Sequence, residues 1–235
     1  MTSLRENIEQ VTGRLERAAR AAGRDPADVQ LLAVSKTMPL ALVREGYAAG
    51  LRFFGENRIQ EGAAKVDQAA DLADAAWHFI GHLQRNKARD AARCFRVIHT
   101  VDSVKLAARL DRWAGEFGVV RDVLLQVHQG GEATKHGAAE EQLSALVGAL
   151  RELPNLRLSG LMTIPPWGAD PEEVRPWFRR LRELRDELAA GPAAGLEHFR
   201  HLSMGMSHDL EVAVEEGATI IRVGTAIFGP RRPRG

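Results

Sequence analysis

Strand-like and helix-like segments alternate along almost the whole chain, and this alternation restricts the fold more than any other feature of the sequence. Eight short apolar runs are typical of buried strands, and a helical segment or helical turn follows each of them. The predicted strands are 31–36, 52–57, 77–81, 96–101, 123–128, 156–162, 201–203 and 219–223. Strict alternation predicts parallel strands, and eight units within 235 residues match the size of a (β/α)₈ barrel.

Capping signals and helical periodicity place the helices between these strands. Ser3 and Glu6 have the spacing of a capping box, which predicts an extra N-terminal helix over 4–23, before the first strand. Ser207 is the expected cap of a helix over 207–217. The other predicted helices are 39–50, 59–76, 83–93, 103–118, 139–150 and 170–188.

An open, doubly wound sheet would also alternate strands and helices. That fold commonly carries a G-x-G-x-x-G turn after an early strand, and the sequence contains neither this motif nor a P-loop. No linker or low-complexity segment divides the chain. We therefore expect one barrel domain over 1–235, with a disordered tail over 230–235.

Composition and charge argue against several classes of partner. The chain is 45% apolar and 27% charged with a formal net charge of +1, which gives no electrostatic basis for binding nucleic acid or a membrane surface. No apolar stretch is long enough to span a bilayer, and the first residues do not form a signal segment. The single cysteine, Cys94, excludes an internal disulfide and suits a reducing compartment. We expect a cytoplasmic protein.

Lys36 is the most unusual residue at a predicted strand end, where barrels carry their functional groups. A lysine that closes an apolar strand can extend to the rim and keep its charge in water. Alternatively, it can stay partly desolvated, so that its neutral amine attacks a carbonyl group. The first strand alone leaves both interpretations open.

The turns after the last two predicted strands are typical of an anion site. They read Ser203-Met204-Gly205-Met206-Ser207 and Arg222-Val223-Gly224-Thr225-Ala226. Barrels often bind phosphate with these two loops, and small or hydroxylated residues let the backbone approach it. Each turn alone is equally compatible with a structural role. Together with Lys36 they favour a phosphorylated carbonyl compound, and pyridoxal 5′-phosphate (PLP) carries both groups.

Other chemistries have weaker support at the predicted strand ends. No pair of carboxylates stands there, which argues against a glycosidase. His78, His99 and His128 lack the H-E-x-x-H spacing of a metal site, and each is more often a hydrogen-bonded structural residue. We therefore predict no metal.

Seven motifs give the chain a specific family resemblance. They are AVSKTMP (33–39), FFGENRIQE (53–61), WHFIGHLQRNK (77–87), TVDS (100–103), LSGLMTI (158–164), LSMGMSHDLEVAVEEG (202–217) and IIRVGTAIFG (220–229). Over about residues 4–230 the chain resembles the pyridoxal phosphate homeostasis proteins (the YggS/PROSC-like group). The barrel of that family is similar to the N-terminal domain of bacterial alanine racemases.

The resemblance implies a role for each candidate site residue. Lys36 would form a Schiff base with PLP, Arg222 would face the pyridine nitrogen, and Asn57 would line the pocket near the lysine. The residues implied to hold the phosphate are Ser203, Gly224 and Thr225, and those implied to belong to the same loop are Met204, Gly205 and Ser207. One departure is His128, where family members usually carry asparagine, so what covers that face of the ring is open.

Arg222 favours a carrier over an enzyme. A guanidinium keeps its proton, so it should leave the pyridine nitrogen unprotonated and weaken the ring as an electron sink. Alanine racemases add a tyrosine base from a second domain of a partner subunit, whereas the single tyrosine here, Tyr47, falls within a predicted helix. We expect a non-enzymatic, monomeric PLP carrier, with PLP-dependent apoenzymes as candidate recipients. The alternatives are a weak PLP-dependent racemase and a cofactor-free Schiff-base lyase.

Overall fold

Eight parallel strands pair in sequence order and close into a barrel, because the last strand also pairs with the first. The computed structural model describes residues 3–129, 136–166, 168–191 and 196–230. The strands are β1 Gln30–Val34, β2 Phe53–Glu56, β3 Ala76–Phe79, β4 Val97–Val101, β5 Arg121–Val127, β6 Leu156–Thr163, β7 His201–Ser203 and β8 Ile220–Val223. The predicted (β/α)₈ barrel is confirmed.

Helices surround the barrel and connect its strands. They are α1 Leu4–Ala21, α2 Leu40–Ala48, α3 Ile59–Gln68, α4 Ala88–Cys94, α5 Val104–Glu116, α6 Leu143–Leu150, α7 Arg175–Ala189, α8 Leu210–Glu215 and α9 Thr225–Phe228. Short 3₁₀ turns occur at Pro26–Asp28, Arg85–Lys87, Glu140–Gln142 and Pro171–Val174. None of the helices in the described ranges combines the length and apolar character needed to cross a membrane.

The predicted N-terminal helix and its capping box are both confirmed. The backbone N–H of Glu6 donates to Ser3 Oγ at 3.2 Å, and Glu6 Oε2 accepts from the backbone N–H of Ser3 at 2.8 Å. The apolar face of α1 is buried, and Arg14 donates to Glu211 on α8 at 2.6 Å. This helix therefore packs against the elements that flank β8.

Several predicted helices have different bounds in the structure, among them those over 59–76 and 83–93. The helix over 59–76 ends at Gln68, where Arg44 of α2 donates to Gln68 O at 2.9 Å and forms an ion pair with Asp71 just beyond. Acidic groups near a helix C-terminus oppose the helix dipole, so an alanine-rich composition does not prolong α3. The segment over 83–93 becomes α-helical only at Ala88, after a 3₁₀ turn.

The prediction that Ser207 caps the eighth helix is wrong. Asp209 is the N-cap residue of α8, and its carboxylate accepts the backbone N–H of Met206 at 2.5 Å. Ser207 turns away from this helix, so that Thr225 Oγ1 and Ser207 Oγ are 3.2 Å apart. The predicted tail residues 231–235 and most of the loop after β5, residues 130–135, lie outside the described residues.

Candidate functional site

A cavity of about 770 Å³ opens at the carboxyl ends of the strands. Because β1 and β8 are neighbours, the carboxyl end of β1 and the carboxyl end of β8 lie side by side at this cavity. Six of the predicted site residues line it: Lys36, Asn57, Ser207, Arg222, Gly224 and Thr225. The other three, Ser203, Met204 and Gly205, lie in the buried layer beneath.

A larger cavity, about 1210 Å³, lies at the amino ends of the strands. Its charged groups are largely engaged in structural contacts. Arg157 forms an ion pair with Asp122, and Arg24 donates to the carbonyl oxygen of Val214 at 2.6 Å. The amino-terminal face of a barrel generally serves stability, whereas chemistry gathers at the carboxyl ends. We therefore place the candidate site in the smaller cavity.

Lys36 occupies a strained turn directly after β1. The turn comprises residues 35–38, called the Lys36 turn below, and the backbone N–H of Met38 closes it by donating to Ser35 O at 3.0 Å. Thr37, in its second central position, has φ +67°. A β-branched residue in this region costs about 1–3 kcal/mol, so surrounding contacts must hold it there.

A buried lysine, Lys65 on α3, provides those contacts. Its Nζ donates to Ser35 O at 2.7 Å, to Glu56 Oε1 at 2.8 Å and to Glu61 Oε1 at 2.9 Å. Ser35 Oγ donates to Glu56 Oε1 at 2.6 Å, and the backbone N–H of Thr37 donates to Glu61 Oε1 at 2.5 Å. All three protons of the ammonium group are thus used, and every acceptor belongs to the Lys36 turn or bonds to it.

Burial raises the pKa of Glu56, and the neighbouring Lys65 acts in the opposite direction. The Glu56 side chain is fully buried, so desolvation of its carboxylate is the larger effect. Lys65 is not recognisable as a site residue from the sequence, because a lysine in an alanine-rich helix resembles a solvated surface residue. The available signal was its spacing of four residues from Glu61, which places both side chains on one face of α3.

Arg222 is held rigidly at the floor of the cavity. Its side chain is 4% exposed, Nη1 donates to Ser203 Oγ at 2.9 Å, and Nη2 donates to Thr163 O at 2.9 Å. Burial lowers the pKa of Arg222 to about 10, so the guanidinium stays protonated at neutral pH. The cavity therefore contains a fixed positive charge next to the carboxyl end of β8.

The hydroxyl of Ser203 connects Arg222 to two buried histidines. Ser203 Oγ lies 2.9 Å from His99 Nδ1, and His99 Nε2 lies 2.9 Å from His78 Nδ1. Burial lowers the pKa of His78 to about 3 and that of His99 well below its ordinary value, so both rings are neutral at pH 7. In this geometry Ser203 orients Arg222, and a direct contact with phosphate stays a prediction.

The two turns predicted to bind phosphate meet at the cavity wall. Ser207 Oγ is 3.2 Å from Thr225 Oγ1 and 3.4 Å from the backbone nitrogen of Ala226. A Cβ on Gly224 would lie 3.3 Å from Val34 O, so glycine lets β1 and β8 close together. A Cβ on Gly205, which has φ +88°, would lie 2.4 Å from Ala213 Cβ. The need for glycine at 205 is therefore steric.

Gln129 is a cavity residue that sequence analysis missed. It is 4% exposed, lines the cavity, and has no hydrogen-bond partner for either atom of its amide. The only other buried side-chain atom without a partner in the described part of the chain is Glu56 Oε2. An unpaired buried amide is costly, so this position suits contact with a polar ligand.

Histidines surround the mouth of the same cavity. His82 and His136 stack with ring centroids 3.5 Å apart, and both line it. His128 also lines it and is half-buried, with its backbone N–H donating to Ala138 O at 2.8 Å. His128, which stands where family members usually carry asparagine, therefore faces the cavity.

Comparisons with known proteins agree with this architecture. The family described as "Alanine racemase, N-terminal domain" matches residues 4–232. A pyridoxal phosphate homeostasis protein of Pseudomonas aeruginosa is 51% identical over 98% of this chain and 97% of its own length. Another, from Aquifex aeolicus, is 48% identical over 97% of this chain and 98% of its own length.

A solved structure extends the comparison to a ligand complex. PipY of Synechococcus elongatus, solved with PLP bound, is 45% identical to this chain, with a TM-score of 0.81. The match covers 92% of this chain and 100% of PipY. Similarity therefore extends through the sequence and the fold over nearly the whole length of both proteins.

Proposed function

The chain belongs to the pyridoxal phosphate homeostasis proteins, a family that shares the alanine racemase N-terminal fold. From this premise we propose that it binds PLP reversibly and acts in intracellular PLP homeostasis. The relative PipY has been solved with PLP bound, which supports the same ligand here. PLP is thus cargo that the protein takes up and releases.

One observation carries this proposal: a single cavity is lined by an amine from the end of β1 and by a hydroxyl and glycine turn from the end of β8. Lys36 Nζ would add to the aldehyde carbon of PLP and release water, and hydrolysis would reverse this step. The hydroxyls of Ser207 and Thr225 and the backbone at Gly224 suit the phosphate. Gln129 offers an unpaired amide to a polar edge of the ligand.

Arg222 and Tyr47 support a carrier without sustained turnover. We place the protonated Arg222 guanidinium against the pyridine nitrogen, where it disfavours protonation of the ring and weakens the electron sink. Tyr47 lies on α2, and the guanidinium carbon of Arg52 is 4.2 Å from the centroid of the Tyr47 ring. This contact gives the single tyrosine of the chain a structural role.

The test is an absorption spectrum of the purified protein with PLP, compared between wild type and Lys36→Ala. We expect wild type to gain a Schiff-base band, and borohydride reduction to fix the added mass on Lys36. Lys36→Ala should lack the band, whereas Lys105→Ala, which changes an exposed lysine on α5, should keep it. The same band in Lys36→Ala would remove Lys36 from its proposed role.

Two further outcomes distinguish the alternatives. A wild-type protein that stays colourless with PLP would favour a cofactor-free Schiff-base lyase. Sustained exchange of the Cα proton of an amino acid for solvent deuterium would favour a weak racemase.

We also propose that the carrier is a monomer and that PLP-dependent apoenzymes receive its cargo. Sedimentation with and without PLP tests the first point, and activation of an apoenzyme by the loaded carrier tests the second.

A further inference from the structure

The contacts of Lys65 assign it a role in presenting Lys36. The Lys36 turn has a backbone conformation that threonine rarely adopts, with φ +67° at Thr37. Despite this strain, the turn places the Lys36 side chain at the cavity wall. The groups that hold the turn therefore determine where the amine lies.

The side-chain hydrogen bonds of Ser35 and the Thr37 backbone in this turn converge on one ammonium group. Lys65 binds the turn directly through Ser35 O, and it also binds the two carboxylates that contact the turn. Glu56 accepts from the Ser35 hydroxyl, and Glu61 accepts from the Thr37 backbone N–H. Lys65 is 7% exposed, so its interactions with these carboxylates are little screened by solvent.

We propose that Lys65 is a positioning residue: it fixes the Lys36 turn so that the Lys36 amine meets the aldehyde of PLP, and thereby sets the rate of covalent capture. This inference rests on the proposed function. It concerns a lysine that is not among the cavity-lining residues, and its Nζ donates instead to Ser35 O after β1 and to Glu56 on β2. Its effect on PLP is exerted through the turn.

The experiment compares Lys65→Met with wild type in two binding reactions. The first is the rate at which the Schiff-base band forms with PLP, and we expect it to fall by about 10-fold to 100-fold, because small errors in placing a nucleophile cost this much. The second is the affinity for pyridoxine 5′-phosphate, which has the same phosphate but no aldehyde. We expect that affinity to change by less than about threefold. A general loss of structure would weaken both.

Two more variants keep the test decisive. Glu61→Leu removes the acceptor of the Thr37 N–H at a partly exposed position, and it should slow capture in the same way even if Lys65→Met folds poorly. Adding Thr37→Gly to Lys65→Met should recover part of the rate, because glycine adopts positive φ without strain. The matched control is Arg93→Met, which removes an exposed cation paired with Asp67 on α3 and should leave the rate unchanged.

The outcomes separate this inference from the proposed function. If wild type captures PLP and both Lys65→Met and Glu61→Leu capture it at the wild-type rate, the inference is overturned and the proposed function stands. If wild type forms no Schiff base, the proposed function fails and the inference fails with it. Equal losses for PLP and pyridoxine 5′-phosphate would also overturn the inference, since they would indicate damage to the whole cavity.

Discussion

At the scale of single residues, hydrogen-bond partners distinguish two glutamine side chains that look equivalent in the sequence. Gln126 and Gln129 lie three positions apart and both line the cavity. Gln126 Nε2 donates to His136 O at 2.9 Å, whereas both amide atoms of Gln129 lack a partner. The first amide therefore holds the backbone at His136, and the second is available to a ligand.

This difference predicts opposite effects for the same substitution. Gln129→Leu should leave the free energy of unfolding of the ligand-free protein unchanged or raise it by about 1 kcal/mol, because it removes an unsatisfied buried amide. It should weaken PLP binding by about 10-fold. Gln126→Leu should lower the free energy of unfolding by about 1 kcal/mol. Urea denaturation and PLP titration of both variants check this, and a destabilised Gln129→Leu with normal affinity would contradict it.

At the scale of elements, a chain of hydrogen bonds ties four strands together inside the barrel. His78 on β3, His99 on β4, Ser203 on β7 and Arg222 on β8 are joined by contacts of 2.9 Å. The only charged member is Arg222, since burial lowers the pKa of both histidines. The packing of β3, β4, β7 and β8 is thus coupled to the position of the Arg222 charge in the cavity.

The neutral histidines predict that acid destabilises the protein. The folded pKa of His78 is about 3, below the value near 6.5 expected when unfolded. Its contribution to stability is therefore complete above about pH 6.5 and is lost as the pH falls towards 3, because only the unfolded state takes up the proton. Between pH 7 and 5 the loss from this one residue should be about 2 kcal/mol in the free energy of unfolding.

Urea denaturation of His78→Gln at both pH values measures this contribution. Glutamine can still hydrogen-bond to His99 but does not titrate, so the variant should lose about 2 kcal/mol less than wild type on acidification. The matched control is His198→Gln, which removes an exposed histidine. Equal losses in His78→Gln and wild type would show that His78 takes up a proton in the folded protein as readily as in the unfolded chain.

At the scale of the whole molecule, barrel closure creates the candidate site. Residues 36 and 222 are far apart in sequence, and the pairing of β1 with β8 brings both to one cavity. Ligand binding at this seam requires the first and last strands to be in place. PLP should therefore stabilise the folded barrel as a unit.

This coupling predicts a concentration-dependent rise in stability. At a PLP concentration 100 times the Kd, the free energy of unfolding should increase by about 2.7 kcal/mol, because the ligand binds only the folded state. Lys36→Ala should show a smaller increase at the same concentration. Urea titrations over a series of PLP concentrations measure both, and a wild-type midpoint that does not respond to PLP would rule out binding at this seam.

The sequence by itself determined the barrel, since apolar runs alternating with helical periodicity can bury their surfaces in few other ways. It also determined the candidate ligand, because the motifs around Lys36 and Gly224 are local and specific. Only the tertiary structure decided how Lys36 is held, that Ser203 orients Arg222, and that Gln129 is unpaired. Those facts depend on contacts between residues distant in sequence, and hydrogen-bond partners across a barrel leave no periodic pattern along the chain.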